Sequence, residues 1–176
     1  MNRRVLVAYA TRAGSTETVA QAIAEALRPE GFQVDVKPVR DVDALADYTA
    51  VIVGSAIRAG KPMPEAVAFV EKHERELRRI PVAYFVVCLT MKDDTEENRC
   101  TVAAYLDALR AQTPEVKPVD VGLFAGVMNS ARLPFLLRLL IRAMKAPDGD
   151  FRDWDAIRAW AVGVAPALRG TGAARG

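Results

Sequence analysis

Residues 5–10, Val-Leu-Val-Ala-Tyr-Ala, form an unbroken apolar run that stops at the hydroxyl-rich turn Thr11-Arg-Ala-Gly-Ser-Thr16, and a helical repeat follows at once. Such a run suits a parallel strand buried on both faces. A strand that ends in a short turn and opens into a helix aims several backbone N–H groups at one point. The positive end of the helix dipole lies there too, so the point suits a phosphate. Thr11, Ser15 and Thr16 add hydroxyl donors, and Gly14 lets the main chain come close or take a positive φ. Taken alone, the same turn also reads as an ordinary strand–helix junction capped by Ser15 or Thr16. The rest of the chain decides between the two.

The pattern repeats. A first helix over 17–28 ends at Pro29 and Gly31. A strand over 33–39 precedes a short helix from Asp41 to about 46, and a doubly apolar strand over 50–55 runs into a loop over 56–62. A helix over 64–79 opens on Pro64, well placed in a first turn. Residues 81–89 make the next strand, 90–94 a loop, 96–112 a helix capped by Thr95, and 118–124 a fifth strand. Asp153 caps a last helix whose Trp154, Ile157, Ala161, Val164 and Leu168 share one face. Strands alternating with helices at this spacing predict an α/β three-layer αβα sandwich around a five-stranded parallel sheet, order 2-1-3-4-5. In such sheets ligands sit beyond the carboxyl ends of the strands, where the strand order reverses. That crevice falls to residues 11–16, 55–61 and 88–94, so the first turn meets two flanking loops. The convergence favours the ligand reading.

The chain has 176 residues, 51% of them apolar, enough for one domain with a full core, placed at 1–168. The glycine-rich stretch 169–176 reads as a flexible tail. No run of about 18 uncharged apolar residues occurs, which excludes a membrane-spanning helix. The first strand begins too early to leave space for a signal peptide, and a reducing, cytoplasmic setting follows by default. Cys88 and Cys100 stand in unrelated contexts, and His73 is the sole histidine, which argues against a metal site. A net charge of +2 with mixed signs carries no nucleic-acid signature. No G-x-G-x-x-G follows the first strand, Pro62 stands where a Walker loop needs Ser or Thr, and no G-x-S-x-G elbow occurs.

Thr11-Arg-Ala-Gly-Ser-Thr16 resembles the flavodoxin FMN-phosphate signature, with Ala13 in place of its middle hydroxyl. More closely, the chain resembles the flavodoxin-like, menaquinone-dependent protoporphyrinogen IX dehydrogenases (HemG-type). The match rests on Thr11, Arg12, Gly14 and Thr16, on Val53-Gly-Ser-Ala-Ile-Arg58 with Gly60, on Phe69-Val-Glu-Lys-His73, and on Asp153-Trp154. The resemblance implies one FMN, its phosphate on Thr11, Arg12, Ala13, Gly14, Ser15 and Thr16. Ser55, Ala56, Ile57 and Arg58, with Cys88, Leu89 and Thr90, would flank the ring. It implies oxidation of protoporphyrinogen IX with electrons passed to a quinone; the alternative is a flavodoxin-type carrier serving a protein partner. No catalytic acid or base stands out. Ala13 removes one side-chain bond to the phosphate, about 0.5–1.5 kcal/mol, which Arg12 can offset with a charge-assisted bond. The flanking loops contain no aromatic residue to stack on a flavin.

Residues 128–150 form an insert that a carrier does not need. Within it Arg138, Arg142 and Lys145 fall on one helical stripe among Leu, Ile, Phe and Met. Three roles stay open: a helix packed on the domain or in a dimer interface, a lid over an apolar carboxylate-bearing substrate, or a segment lying in a membrane interface. At pI ≈ 8.6 the chain lacks the acidic field of carrier flavodoxins. Lys61, Arg132 and Arg138, beside Arg58, instead suit an anionic tetrapyrrole.

Overall fold

The computed structural model describes residues 3–145 and 148–170. Five strands make the parallel sheet: β1 (Arg4–Ala10), β2 (Gln33–Pro38), β3 (Ala50–Arg58), β5 (Val82–Val87) and β6 (Asp120–Phe124), in the order β2-β1-β3-β5-β6. The short β4 (Lys61–Pro62) turns back antiparallel on β3. Leaving that hairpin strand aside, the order is the expected 2-1-3-4-5. The three central strands are the ones whose sequences are apolar without interruption, and both their faces are buried.

Helices α1 (Ser15–Leu27) and α7 (Trp154–Leu168) cover one face, where Val19, Ile23, Ile157 and Val164 meet Val5, Ile52 and Phe85. The other face is covered by α2 (Pro64–Lys72), α3 (Glu74–Leu77), α4 (Glu96–Ala104) and α5 (Asp107–Gln112), through Phe69, Val70, Leu77, Val102 and Leu109. After β6 the chain leaves through β7 (Val127–Met128), carries α6 (Phe135–Ala143), and returns through β8 (Gly149–Asp150), which pairs with β7. Among the described residues no helix is long and apolar enough to cross a membrane.

The structure differs from the sequence reading in several places. Asp41 closes a 3-10 turn, Val39–Asp41, and caps no helix; Val42 and Leu45 are drawn into the core instead. The helix expected over 64–79 breaks at His73, which is buried and stacks on Phe69 with ring centroids 4.9 Å apart. The helix expected over 96–112 breaks at Tyr105–Leu106, although Thr95 caps its start as expected, accepting from the Asn98 N–H at 3.1 Å. Asp153 caps α7 in the same way, accepting from the Ala156 N–H at 2.9 Å. Arg169, expected to begin a flexible tail, is anchored: its guanidinium bonds the Glu30 carboxylate at 3.0 Å and the Glu30 carbonyl at 2.9 Å. Residues 171–176 of that tail lie outside the described residues.

Under the centre of the sheet, Gly54 of β3 lies against the Phe85 ring, and a Cβ there would fall 2.0 Å from Phe85 Cζ. Phe85 is fully buried and has nowhere to move. Gly54→Ala should therefore lower unfolding stability by about 1–3 kcal/mol, read as a drop in denaturation midpoint at unchanged slope.

Candidate functional site

Three strands deliver three loops to one place. Ala10 is in register with Ser55, and Ser55 and Ala56 are in register with Val86 and Val87, so the turns after β1, β3 and β5 rise side by side at the carboxyl edge of the sheet. The predicted residues around the crevice thus come together.

The first turn is shaped by Gly14. It precedes α1 with φ +86°, a left-handed conformation, and donates its N–H to Thr11 Oγ1 at 3.1 Å. No side chain caps the helix, so neither Ser15 nor Thr16 acts as the expected cap. The first-turn amides of α1 therefore have no partner inside the helix. Thr16 is fully buried, and its Oγ1 has no hydrogen-bond partner. A buried hydroxyl left unpaired costs about 1–3 kcal/mol, and here it lies at the positive end of a helix dipole. Oxygen acceptors carrying negative charge satisfy this set. The residues present fit a nucleotide phosphate, with Arg12 and Ala13 exposed at the mouth and Thr11, Gly14 and Ser15 half-buried.

The second loop is more ordered than sequence suggests. β3 continues through Ala56, Ile57 and Arg58, then reverses through Ala59 (φ 49°) and Gly60 (φ 72°) into Lys61. Two consecutive left-handed residues make the tight hairpin turn that matches strand twist. Ser55 Oγ donates to the Ala56 carbonyl at 2.8 Å and accepts from the Met63 N–H at 2.8 Å, so this hydroxyl fixes the start of α2. Ala56 and Ile57 are half-buried, while Arg58 and Lys61 are exposed. In the third loop Cys88 is buried; its N–H bonds the Phe124 carbonyl at 2.9 Å. Leu89 and Thr90 begin a 3-10 turn, Leu89–Lys92, with Leu89 exposed.

Other residues reach the region that the sequence did not single out. Tyr105, at the break between α4 and α5, lies beneath the hairpin turn, where a Cβ on Gly60 would be 3.3 Å from its ring. It supplies an aromatic neighbour that the loops themselves lack. Arg152 packs over Trp154 at 4.5 Å, pairs with Asp150 and donates to Thr18 Oγ1, tying the base of the insert to α1. A hollow of about 120 Å³ adjoins the first turn at the ends of β1 and β2, lined by Tyr9, Arg40, Glu17 and Glu65. Thr11 alone of the predicted residues lines it. Tyr9 is held above the usual phenol range, chiefly by burial and then by Glu17.

The ion pairs among the described residues take up none of Arg12, Arg58, Lys61 and Arg132. Arg138 is engaged: it donates to the Ala131 carbonyl at 2.8 Å and fastens α6 to the turn before it. Ser130 donates both its hydroxyl and, at 2.8 Å, its N–H to Asp148, and these bonds hold that carboxyl below its usual range. The predicted site residues comprise hydroxyls, cations and one thiol, with no carboxylate or imidazole. These groups suit holding an anion and supply no redox chemistry of their own.

A parallel sheet of this order with a phosphate cradle after its first strand defines a flavodoxin-type nucleotide fold. A flavodoxin-domain family model matches residues 6–155. A protoporphyrinogen IX dehydrogenase [quinone] of Leishmania major is 32% identical over 170 residues, 90% of this chain and 73% of that protein. The Escherichia coli K12 protein of the same name is 25% identical over 92% of this chain and 94% of its own. Oxidised flavodoxin 2 of Bacillus cereus shares the fold, with a TM-score of 0.58, 20% identity, and coverage of 93% and 99%. This chain belongs to the flavodoxin-domain family, among the relatives of the protoporphyrinogen IX dehydrogenases (quinone).

Ala59 is the one non-glycine residue of this site held left-handed, at a cost of about 1–2 kcal/mol. Its Cβ sits in a turn whose shape glycine adopts freely. Ala59→Gly should raise the melting temperature, and an unchanged or lowered midpoint would mean that the turn is not strained.

Proposed function

We propose that the chain binds one FMN and oxidises protoporphyrinogen IX to protoporphyrin IX, with a quinone as electron acceptor. Thr16 carries the cofactor assignment: a fully buried hydroxyl without a partner, at the start of α1 behind a left-handed glycine. The substrate and acceptor follow from relatives whose printed name states both, one of them 32% identical over 90% of this chain.

When bound, FMN supplies the acceptor for hydride equivalents. The chain's own residues do the rest. The first-turn amides of α1, with Thr11, Ser15, Thr16 and Arg12, hold the phosphate and so fix where the ring lies. Ala56, Ile57 and Arg58 on the β3–β4 hairpin flank one side of the ring, and Cys88, Leu89 and Thr90 the other. Arg58, Lys61 and Arg132 are free to meet substrate carboxylates, and an overall charge of +2 does not oppose an anionic substrate. Arg138 acts indirectly, by holding α6 to its preceding turn. One cofactor-binding domain covers 1–168.

Peripheral contact with the membrane is part of the same proposal, and α6 supports it. Phe135, Leu136, Leu139, Leu140 and Met144 lie on one side of the helix and are 47–80% exposed. Arg138 and Arg142 lie on the other side, while Lys145, at φ 50°, falls beyond the helix end and leaves the stripe expected from sequence. A helix with a free apolar face flanked by cations suits the headgroup boundary of an anionic bilayer, where a lipid-borne quinone resides. Vesicles of phosphatidylglycerol and phosphatidylcholine should carry the protein down on sedimentation. Leu136→Ser with Leu140→Ser should abolish this while leaving FMN uptake intact; equal sedimentation of the double variant would rule α6 out as the contact.

Thr16→Val tests the cofactor assignment. The methyl replaces a hydroxyl that has no partner, so the FMN-free protein should keep or gain stability. FMN affinity should fall about tenfold or more, because a charge-assisted bond of at least about 1.5 kcal/mol is lost. Unchanged affinity would remove Thr16 from the site.

A further inference from the structure

β6 is the last strand of the sheet, and its outer edge has no pairing strand. A groove of about 350 Å³ runs along that edge, lined by successive β6 residues from Val121 to Phe124 and by Ala125. One wall is the turn bearing Met91 and Lys92; the other is Phe151 with Ala156 and Trp160 of α7. Trp160 lies flat enough on β6 that a Cβ on Gly122 would sit 3.0 Å from its ring, and it meets Phe124 edge-on at 5.6 Å.

The polar groups of the groove differ in what they have left to offer. Asp94 is bonded to Arg99 at 2.5 Å, and Asp153 accepts the Ala156 N–H, so both carboxylates and one cation are engaged. Beside the open main-chain edge of β6, two side-chain donors remain. The Trp160 indole N–H is shut off from solvent with no partner, and the Lys92 ammonium hangs 5.5 Å over the Phe151 ring. The side chains of Phe151, Ala156 and Trp160 on one wall, with the Lys92 ammonium as a donor on the other, fit a flat ring carrying carbonyl acceptors. The size is at the low end for ligand sites, suited to a one- or two-ring head rather than a tetrapyrrole.

Position adds a second argument. The 3-10 turn Leu89–Lys92 faces the crevice with Leu89 and Thr90 and the groove with Met91 and Lys92. Four residues of such a helix span only about 6 Å. On its far side the groove ends at Phe151, whose N–H bonds the Gly126 carbonyl at 3.1 Å where the insert joins the domain.

We propose that this groove seats the head of the quinone acceptor, separate from the crevice that receives the porphyrinogen, with the quinone's tail leaving toward the apolar face of α6. The inference rests on the function proposed above. Each quinone takes up an electron pair and two protons to become the quinol, and oxidation of the porphyrinogen releases both.

The test uses full-length, FMN-loaded protein and menadione. In a Trp154→Phe background, Trp160 is the remaining indole, and menadione should quench its emission saturably. Ala156→Phe, at an exposed position, should fill the groove without disturbing the core or adding an indole, and weaken that quenching about tenfold. In turnover it should raise KM for menadione by a similar factor and leave KM for protoporphyrinogen unchanged. Lys92→Ala should weaken menadione about fivefold. Unsaturable quenching, or menadione affinity untouched by Ala156→Phe, overturns the groove even if porphyrinogen oxidation proceeds. Saturable, Ala156-sensitive quenching upholds it even if the porphyrinogen is not turned over, because that readout requires no activity.

Discussion

The junction between β1 and α1 sets the terms for everything else. A buried parallel strand has to hand over to a helix within four residues, and Gly14 does so by taking a left-handed conformation at φ +86°. With glycine there, no side chain caps the helix, and the first-turn amides and the Thr16 hydroxyl are left facing one another without partners. A conventional Ser or Thr cap would stabilise α1 by only a few tenths of a kcal/mol over glycine and would occupy one of those donors. The chain forgoes that cap, and what it gains is a cradle with vacant donors in a positive field.

The sheet turns this local arrangement into a site. Because β1, β3 and β5 are adjacent and in register, the turns after them cannot avoid one another. The tight hairpin after β3 and the 3-10 turn after β5 make two rigid walls, where flexible loops would let a bound ring wander. Tyr105 supports one wall from below, and the other is shared with the edge groove. The insert is joined to this frame by Arg152, which links Asp150 to Thr18 on α1, so the base of the insert is tethered to the same helix that begins at this turn. On the proposed reading, the turn before α1 meets the phosphate and the two walls flank the ring.

The central strands were legible in the sequence because burial on both faces writes itself as an unbroken apolar run; the glycine and hydroxyls of the first strand–helix junction marked the turn, but taken alone they also read as an ordinary cap. The last helix was legible through Asp153 and its period. What failed to show were features decided by tertiary contact. The helix breaks at His73, whose side chain is buried, though the charge pattern runs on past it. The 56–62 segment lacks the Asn-Gly or Gly-Gly pair that marks a two-residue hairpin; Ala59-Gly60 does the same job under strain. Ser55 reads as a ligand contact, and its hydroxyl holds the Met63 amide. Tyr105, Arg152 and the edge groove depend on residues distant in sequence, and no local spacing announces them.

The central claim is that a phosphate is held by the turn before α1, and one measurement addresses it directly: titrating the flavin-free protein with FMN and, separately, with riboflavin, following flavin fluorescence. FMN should bind one per chain and about a hundredfold more tightly than riboflavin, as expected when several charge-assisted bonds are made to the phosphate alone. Equal affinity for the two, or no uptake of either, would contradict the account.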